Sequence, residues 1–227
     1  MAAAGSYTPA PLLTERLLLR PLTADDAGAL LRFRAHPAAT RYLSHGPLTP
    51  AQNHARLEQA LSAAAASTAE WFHFGWAIEL RATGEIVGDG RTWNTEEPPA
   101  PGRIPAEAAS LGYVLHPDHH GVGLGREAAS ALVDWLFSAR GSGTIFAGVY
   151  EPNLPSRRLL EGLGFRKDRF SSRLPRTQRE SSCRPGATGW TAASCTAPGS
   201  CRHRWQCRGP GLPLLPIPLR AQWTCPR

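Results

Sequence analysis

The spacing of apolar positions changes several times along the chain, and each change marks a different element. Leu17 to Arg20 reads as a short strand. Thr23-Ala24-Asp25-Asp26 has the form of a capping box, in which a hydroxyl and a carboxylate satisfy main-chain N–H groups at a helix start, and helical spacing follows over residues 27–35. Thr49-Pro50-Ala51-Gln52 repeats the device before a longer helical run to about Ala66, with proline in the first turn where its missing N–H costs little. Trp71 to Leu80 and Glu85 to Trp93 are strand-like and joined by the turn Ala82-Thr83-Gly84, which predicts a hairpin. Residues 94–106, rich in Pro and Glu, read as an exposed loop. Ser110 to Leu115 is then a strand, residues 128–139 an amphipathic helix, and Thr144 to Tyr150 an apolar, β-branched and aromatic strand. A short helix follows, with Asn153 as its cap, Pro155 near its first turn and Gly164 at the left-handed position that ends it. Strand, two helices, antiparallel strands, strand, helix, strand, helix is a mixed α/β order.

The segment His120-Gly121-Val122-Gly123-Leu124-Gly125-Arg126-Glu127-Ala128 carries the clearest chemistry. Three alternating glycines lead straight into a helix. Glycines let successive N–H groups turn toward one point, and the first helical turn adds unpaired donors and the positive end of the helix dipole. A phosphate-bearing ligand is the first expectation; a plain tight turn is the other reading of the same residues.

Three blocks, taken together, resemble the GNAT N-acetyltransferase superfamily, and within it the ribosomal-protein (Rim-type) branch. Gly121, Gly123, Gly125, Glu127 and Ala128 match the acetyl-CoA signature, with His120 where that signature has Gln or Arg. Asn153, Ser156, Leu163, Gly164 and Phe165 match an N-x-x-S…L-G-F block. Leu13-Thr14-Glu15-Arg16-Leu17-Leu18-Leu19-Arg20 is similar to the branch's opening strand. The resemblance covers residues 12–170 and implies one α/β domain of GNAT fold: a mixed, mostly antiparallel central sheet flanked by helices, with acetyl-CoA at a splayed strand pair.

It also implies roles. The CoA pyrophosphate would sit on amides from Val122, Gly123, Leu124 and Gly125 to Arg126, with the Arg126 side chain adding a contact to phosphate. Strands containing Val114 and Val149 would part, and a main-chain N–H near Val114 or Leu115 would stabilise the tetrahedral oxyanion. Asn153 would hold the pantetheine arm and Ser156 would protonate the leaving thiolate; both residues also suit simple helix capping. The amine must lose a proton. Where the family often has Glu ahead of the apolar-Gly-Tyr motif this chain has Ser110, so Tyr150, Tyr113, Asp89 and Glu151 are the remaining candidate bases. The acceptor is expected to be a protein N-terminal α-amine or a small-molecule amine, met by residues around Arg41 to His45. Asp118-His119-His120 lacks complementary metal-ligand spacing and reads as a polar loop.

Composition divides the chain. Beyond Phe170 there are nine Arg against one Glu, so the net charge of +7 belongs to the tail and residues 1–170 carry −1. All 5 cysteines lie there too, with Cys195, Cys201 and Cys207 spaced unlike zinc pairs. The tail, residues 171–227, has many prolines and no sustained period, which predicts disorder and no closing C-terminal hairpin. With only one lysine in the chain, Lys167, the break has the look of out-of-frame translation. Its scattered basic residues argue against nucleic-acid binding. Neither a signal peptide nor a membrane span is read, so a cytoplasmic monomer or homodimer is expected. Two other readings stand beside the enzyme. One is a dinucleotide fold on Gly123 to Ala128 with Glu151, against which His116 to His120 separate strand from glycines. The other is a non-catalytic acyl-CoA-binding or inactive remnant, favoured by Ser110 and the tail.

Overall fold

The computed structural model describes residues 7–94, 108–166 and 189–191. One sheet runs through them in sequential order: β1 (Leu12–Leu13), β2 (Leu17–Pro21), β3 (His73–Leu80), β4 (Ile86–Trp93), β5 (Ala108–Leu115), β6 (Thr144–Tyr150) and β7 (Gly189–Thr191). All neighbours are antiparallel except β5 and β6. Parallel neighbours need a crossover, and α4 (Leu124–Ser138) supplies it. The remaining helices are α1 (Ala27–Arg34), α2 (Pro37–Thr40), α3 (Pro50–Ala65) and α5 (Leu154–Gly162). This is the expected mixed, mostly antiparallel sheet with flanking helices. The four-residue α2 and two-residue β1 are too short to leave a periodic signal.

Each face of the sheet has its own apolar layer. On one face Leu17, Leu19, Phe74, Trp76, Leu111 and Ile145 pack against Leu132 and Leu136 of α4, with Leu160 of α5 in the same cluster. Trp76 and Trp135 meet edge to face with centroids 5.0 Å apart, and the buried indole N–H of Trp76 donates to Thr92 Oγ1 at 2.9 Å. On the other face Leu30 and Phe33 of α1 and Leu57 of α3 cover Ala77, Ile86 and Val114. Burying such side chains stabilises by about 2 kcal/mol each.

A bulge in β4 decides which side chains go to which face. Ile78 pairs with Gly88 and Glu79 with Ile86, so Val87 is the extra residue. Val87 joins the α4 layer, and a Cβ on Gly90 would meet Leu132 at 3.0 Å, so that face takes both. Asp89 therefore turns toward α1, where Arg34 donates to its carboxylate through Nε and Nη2 and to Asn53 Oδ1 through Nη1 at 3.2 Å. Gly88 sits where the bulge brings β4 against β5: a Cβ there would lie 2.3 Å from the Val114 carbonyl oxygen.

The opening strand carries two electrostatic ties. Arg20 donates to Asp26 through both Nη atoms at 2.9 and 2.8 Å, and Asp26 in turn accepts the Thr23 N–H at 2.7 Å, which realises the predicted box. The other tie spans the molecule. Glu127, in the first turn of α4, accepts Thr14 Oγ1–H at 2.5 Å, the Arg16 N–H at 2.8 Å and Arg16 Nε–H at 2.8 Å, while Arg16 Nη1 donates to the Val122 carbonyl at 2.9 Å. Burial pushes the Glu127 carboxyl up, but the bonds from Thr14 and Arg16 outweigh it and hold the group below its ordinary range.

The tail needs one correction. Gly189–Thr191 runs antiparallel to Gly148–Tyr150, so these three residues are a strand and not irregular chain. The outer edge of β6 offers a row of main-chain donors and acceptors, and pairing with it demands extended backbone, not apolar period. The rest of 171–227, the boundary at 170, the reading-frame idea, the cysteines and the loop from 95 to 106 lie outside the described residues.

Two outcomes follow for stability. Arg34→Met leaves Asp89 buried without its cation and is expected to cost about 3 kcal/mol in chemical denaturation, most of it recovered by adding Asp89→Leu. Glu127→Gln is expected to cost about 1 to 2 kcal/mol near pH 7. Because the folded carboxyl titrates below the unfolded one, its contribution is present above about pH 5 and lost as the pH falls through the carboxylate range. Wild type and variant should thus converge in acid unfolding.

Candidate functional site

Where β5 and β6 stop pairing, the sheet opens. Ala108 to Leu111 pair with Thr144 to Ala147, yet β5 continues to Leu115 and β6 to Tyr150. Beyond Leu111 β5 pairs as a strand only with β4, and beyond Ala147 β6 pairs only with β7 on its far side. The two strands do not pair with each other beyond those positions. The expected parting of the strands bearing Val114 and Val149 is thus present, and its floor is main chain.

The direction of that main chain sorts two expected residues. His116 N–H donates to the Val87 carbonyl at 2.7 Å and the Val114 carbonyl lies against Gly88, so alternate groups of β5 from Val114 to His116 face β4. The Val114 amide is therefore turned away from the gap, and its side chain packs on the α1 and α3 side. Tyr113 and Leu115 are the residues whose main chain faces the opening. The Leu115 carbonyl already bonds His120 Nε2 at 3.0 Å, which fixes the start of the glycine loop beside it.

The glycine loop enters α4 as its sequence predicts. Gly121 and Gly123 have φ of 77° and 87°, and Gly123 is the N-cap. The left-handed backbone at Gly123 strains any side chain there, and a Cβ would stand 3.3 Å from Arg16 Nη2. The N–H groups of Val122, Gly123, Leu124 and Gly125 have no partner among the described residues. Arg126 differs from expectation: its N–H bonds the Gly123 carbonyl at 3.1 Å, and its Nη2 donates to the Gly162 carbonyl at the end of α5 at 2.9 Å. Its side chain joins two helices. Val122 is exposed, the Leu124 side chain is buried, and Gly125 packs toward Leu115, Tyr113 and Leu159.

Asn153 caps α5, accepting the Ser156 N–H on Oδ1 at 3.3 Å. That puts the Ser156 hydroxyl beside Tyr113, on the α4 side of the gap. The Tyr113 hydroxyl oxygen is buried with no hydrogen bond of normal geometry among the described residues. Burial pushes the phenol above its ordinary value, an effect that Ser156 partly offsets. Sequence reasoning placed Tyr113 among the bases, whereas this environment keeps it protonated and makes it a donor without an acceptor. Tyr150 ends β6 opposite Gly189, and Glu151 lies exposed in the following turn. Asp89 is committed to Arg34. Burial holds the His45 imidazole below its ordinary value, with Arg56 and Arg34 adding to the depression, so it is neutral at pH 7.

His116 Nδ1 lies 3.6 Å from Asp118 and His119 Nε2 3.9 Å from Glu85. Among the described residues no three His, Cys, Asp or Glu side chains assemble to hold a metal ion, and no helix is long and apolar enough to cross a membrane. The roles of Thr14 and Arg16 had no local signal in the sequence.

An acceptor-rich ligand is what these features can hold. A run of unpaired N–H groups at a helix start suits an oxyanion, and two open strand edges suit an amide-bearing chain. Residues 16–166 match the family described as Acetyltransferase (GNAT) domain. The chain is 34% identical over 162 residues to YoaA of Bacillus subtilis (strain 168), an uncharacterized N-acetyltransferase, covering 70% of this chain and 84% of that one. It is 31% identical over 158 residues to p20 of Bacillus licheniformis, also an uncharacterized N-acetyltransferase, covering 69% and 83%. Among solved structures, an acetyltransferase from Agrobacterium tumefaciens str. C58 superposes with a TM-score of 0.60 at 26% identity, over 82% of this chain and 94% of that one. Mycobacterium smegmatis RimJ in complex with CoA-disulfide shares the fold, with a TM-score of 0.60 at 23% identity over 87% and 90%. The chain belongs to the GNAT acetyltransferase family, and its relatives make it an acyltransferase of the N-acetyltransferase kind.

Proposed function

We propose that the chain takes acetyl-CoA as donor and transfers its acetyl group directly to an amine, within one domain over residues 12–170. The observation that carries this reading is the juxtaposition of the glycine-loop amides with the parted ends of β5 and β6. A donor with phosphates at one end and a peptide-like arm fits both features at once. In this reading the N–H groups of Val122 to Gly125 receive the pyrophosphate, and the edges of Tyr113 to Leu115 and of Gly148 and Val149 receive the pantetheine amides. The Leu115 or Tyr113 N–H is the group directed at the developing oxyanion. Asn153 fixes the start of α5, and Ser156 hands a proton to the departing thiolate as the C–S bond breaks. As the C–N bond forms, the amine's proton leaves through solvent, since Asp89 is held by Arg34 and Ser110 cannot accept it near neutral pH.

The likeness to a RimJ structure and the opening block support the Rim-type branch, with a protein N-terminal α-amine as one acceptor and a small-molecule amine as the other. The non-catalytic reading is less well supported, because the relatives are N-acetyltransferases and the described residues retain cradle and gap. A cytoplasmic site of action accords with a cysteine-free residues 1–170.

Two measurements test this. Isothermal titration of the full chain with acetyl-CoA is expected to show micromolar binding, weakened at least about tenfold in Gly123→Ala, where a side chain forces strained left-handed backbone beside Arg16; absence of binding by the folded wild type would overturn the proposal. Ser156→Ala is expected to lower kcat by about 100-fold with little change in acetyl-CoA affinity. An equal loss in affinity would reduce Ser156 to a helix-capping role.

A further inference from the structure

The bulge at Val87 and Gly88 also fixes the charge of the other side of the gap. Asp89 pairs with Val114 and Arg91 with Gly112, so both β4 side chains stand on the α1 and α3 face, one strand away from the opening between β5 and β6. Arg34 comes in from α1 to the Asp89 carboxylate. Asn53 of α3 accepts from Arg34, and Arg56 lies one turn further on the same side of α3. His45 enters from the segment before α3, with Nδ1 2.7 Å from the Gly46 carbonyl oxygen. Arg91 lies over the Trp93 ring at 4.9 Å and against His73 Nε2. Ser110, opposite Trp93, adds no charge.

Three guanidinium groups thus gather around one described carboxylate, and Arg34 has taken it. No described carboxylate forms an ion pair with Arg56. Burial and the like charges of Arg34 and Arg91 lower the Arg56 pKa from its ordinary value, Asp89 only partly opposing them. A cation kept where the fold disfavours it gains from an arriving anion. A polycationic amine would meet repulsion here instead.

We propose that the acceptor carries an oxyanion, carboxylate or phosphate, close to its amine, and that the Arg56 guanidinium pairs with it on the α1 and α3 side of the parted strands. This deepens the acetyltransferase reading and rests on it. Arg56 is a specificity residue in this scheme, with Arg34 held back by Asp89 as a secondary source of positive potential.

The test uses the full chain saturated with CoA, so that the glycine-loop cradle is filled. Isothermal titration compares three product-like ligands: N-acetylglycine, N-acetyl-O-phosphoethanolamine and the neutral N-acetylglycinamide. At least one anionic ligand is expected to bind about tenfold tighter than the amide, and which one does so separates carboxylate from phosphate. Arg56→Ala should erase that preference and Arg56→Lys keep part of it, with CoA affinity unchanged. Thermal melting of Arg56→Ala beside wild type separates loss of preference from loss of fold. Equal binding of all three ligands, or a preference that survives in Arg56→Ala, overturns the proposal. Failure of the folded chain to bind CoA overturns the acetyltransferase reading itself, and the acceptor class falls with it.

Discussion

Two parallel strands that pair for four residues and then separate create the constraint on which the site depends. Main-chain N–H and C=O groups are costly to leave unpaired away from water. The ends of β5 and β6 that do not pair with each other are therefore tolerated only because neighbouring elements hold the strands apart. On the β5 side the hold comes from β4, whose bulge lets Gly88 approach the Val114 carbonyl more closely than any side chain would permit. On the β6 side β7 occupies the outer edge, so β6 is engaged there and open toward the gap. The start of α4 then lies against the same opening, through the packing of Gly125 on Leu115 and Tyr113.

An opening of this kind is useful only if the glycine loop stays where its amides converge. Left-handed glycines give access to the required backbone but add no rigidity. Rigidity comes from Glu127 and Arg16. An exposed Arg–Glu pair by itself contributes little; here the carboxylate is largely buried, accepts from Thr14 and twice from Arg16, and the same Arg16 side chain grips the Val122 carbonyl. The loop is thus tied on both sides of its left-handed turn to the opening strand. In this chain the Thr-Glu-Arg block near residue 15 and the Gly-Arg-Glu-Ala block near residue 127 meet through this contact.

The sequence made local features legible and left through-space ones hidden. Helices with caps and long apolar faces, 50–65 and 124–138 among them, are specified by residues within reach of one another, and so is the Asn153 cap of α5. The bulge is different. Strict alternation would put Val87 and Asp89 on one face, and only the extra residue opposite Ile78 sends Asp89 to Arg34. The same limit misdirected the choice of Val114 as a gap-facing amide, because its orientation is set by which groups β4 takes. Tyr113 illustrates it again: a tyrosine next to a glycine in a strand gives no sign that its hydroxyl will be buried beside a serine 43 positions later. In the tail, β7 was hidden for the opposite reason, since edge pairing selects extended backbone and leaves little trace in side-chain pattern.

The two sides of the gap attract negative charge by different means. On the α4 side Arg16 is paired with Glu127 and Arg126 donates to the Gly162 carbonyl, so the loop itself offers main-chain dipoles. Dipoles act over a turn of helix and select for a ligand that fits the loop. On the α1 and α3 side the loop geometry is absent and the attraction is a net charge, with Arg56 lacking a described carboxylate partner. Charge reaches further, about 8 Å at physiological ionic strength, but it is screened by salt and less particular about shape. A fold that reserves shape-selective dipoles for one side and longer-range charge for the other can keep one donor fixed while sampling several acceptors. On the proposed reading the acceptor is the ligand met by the least shape-specific part of the site.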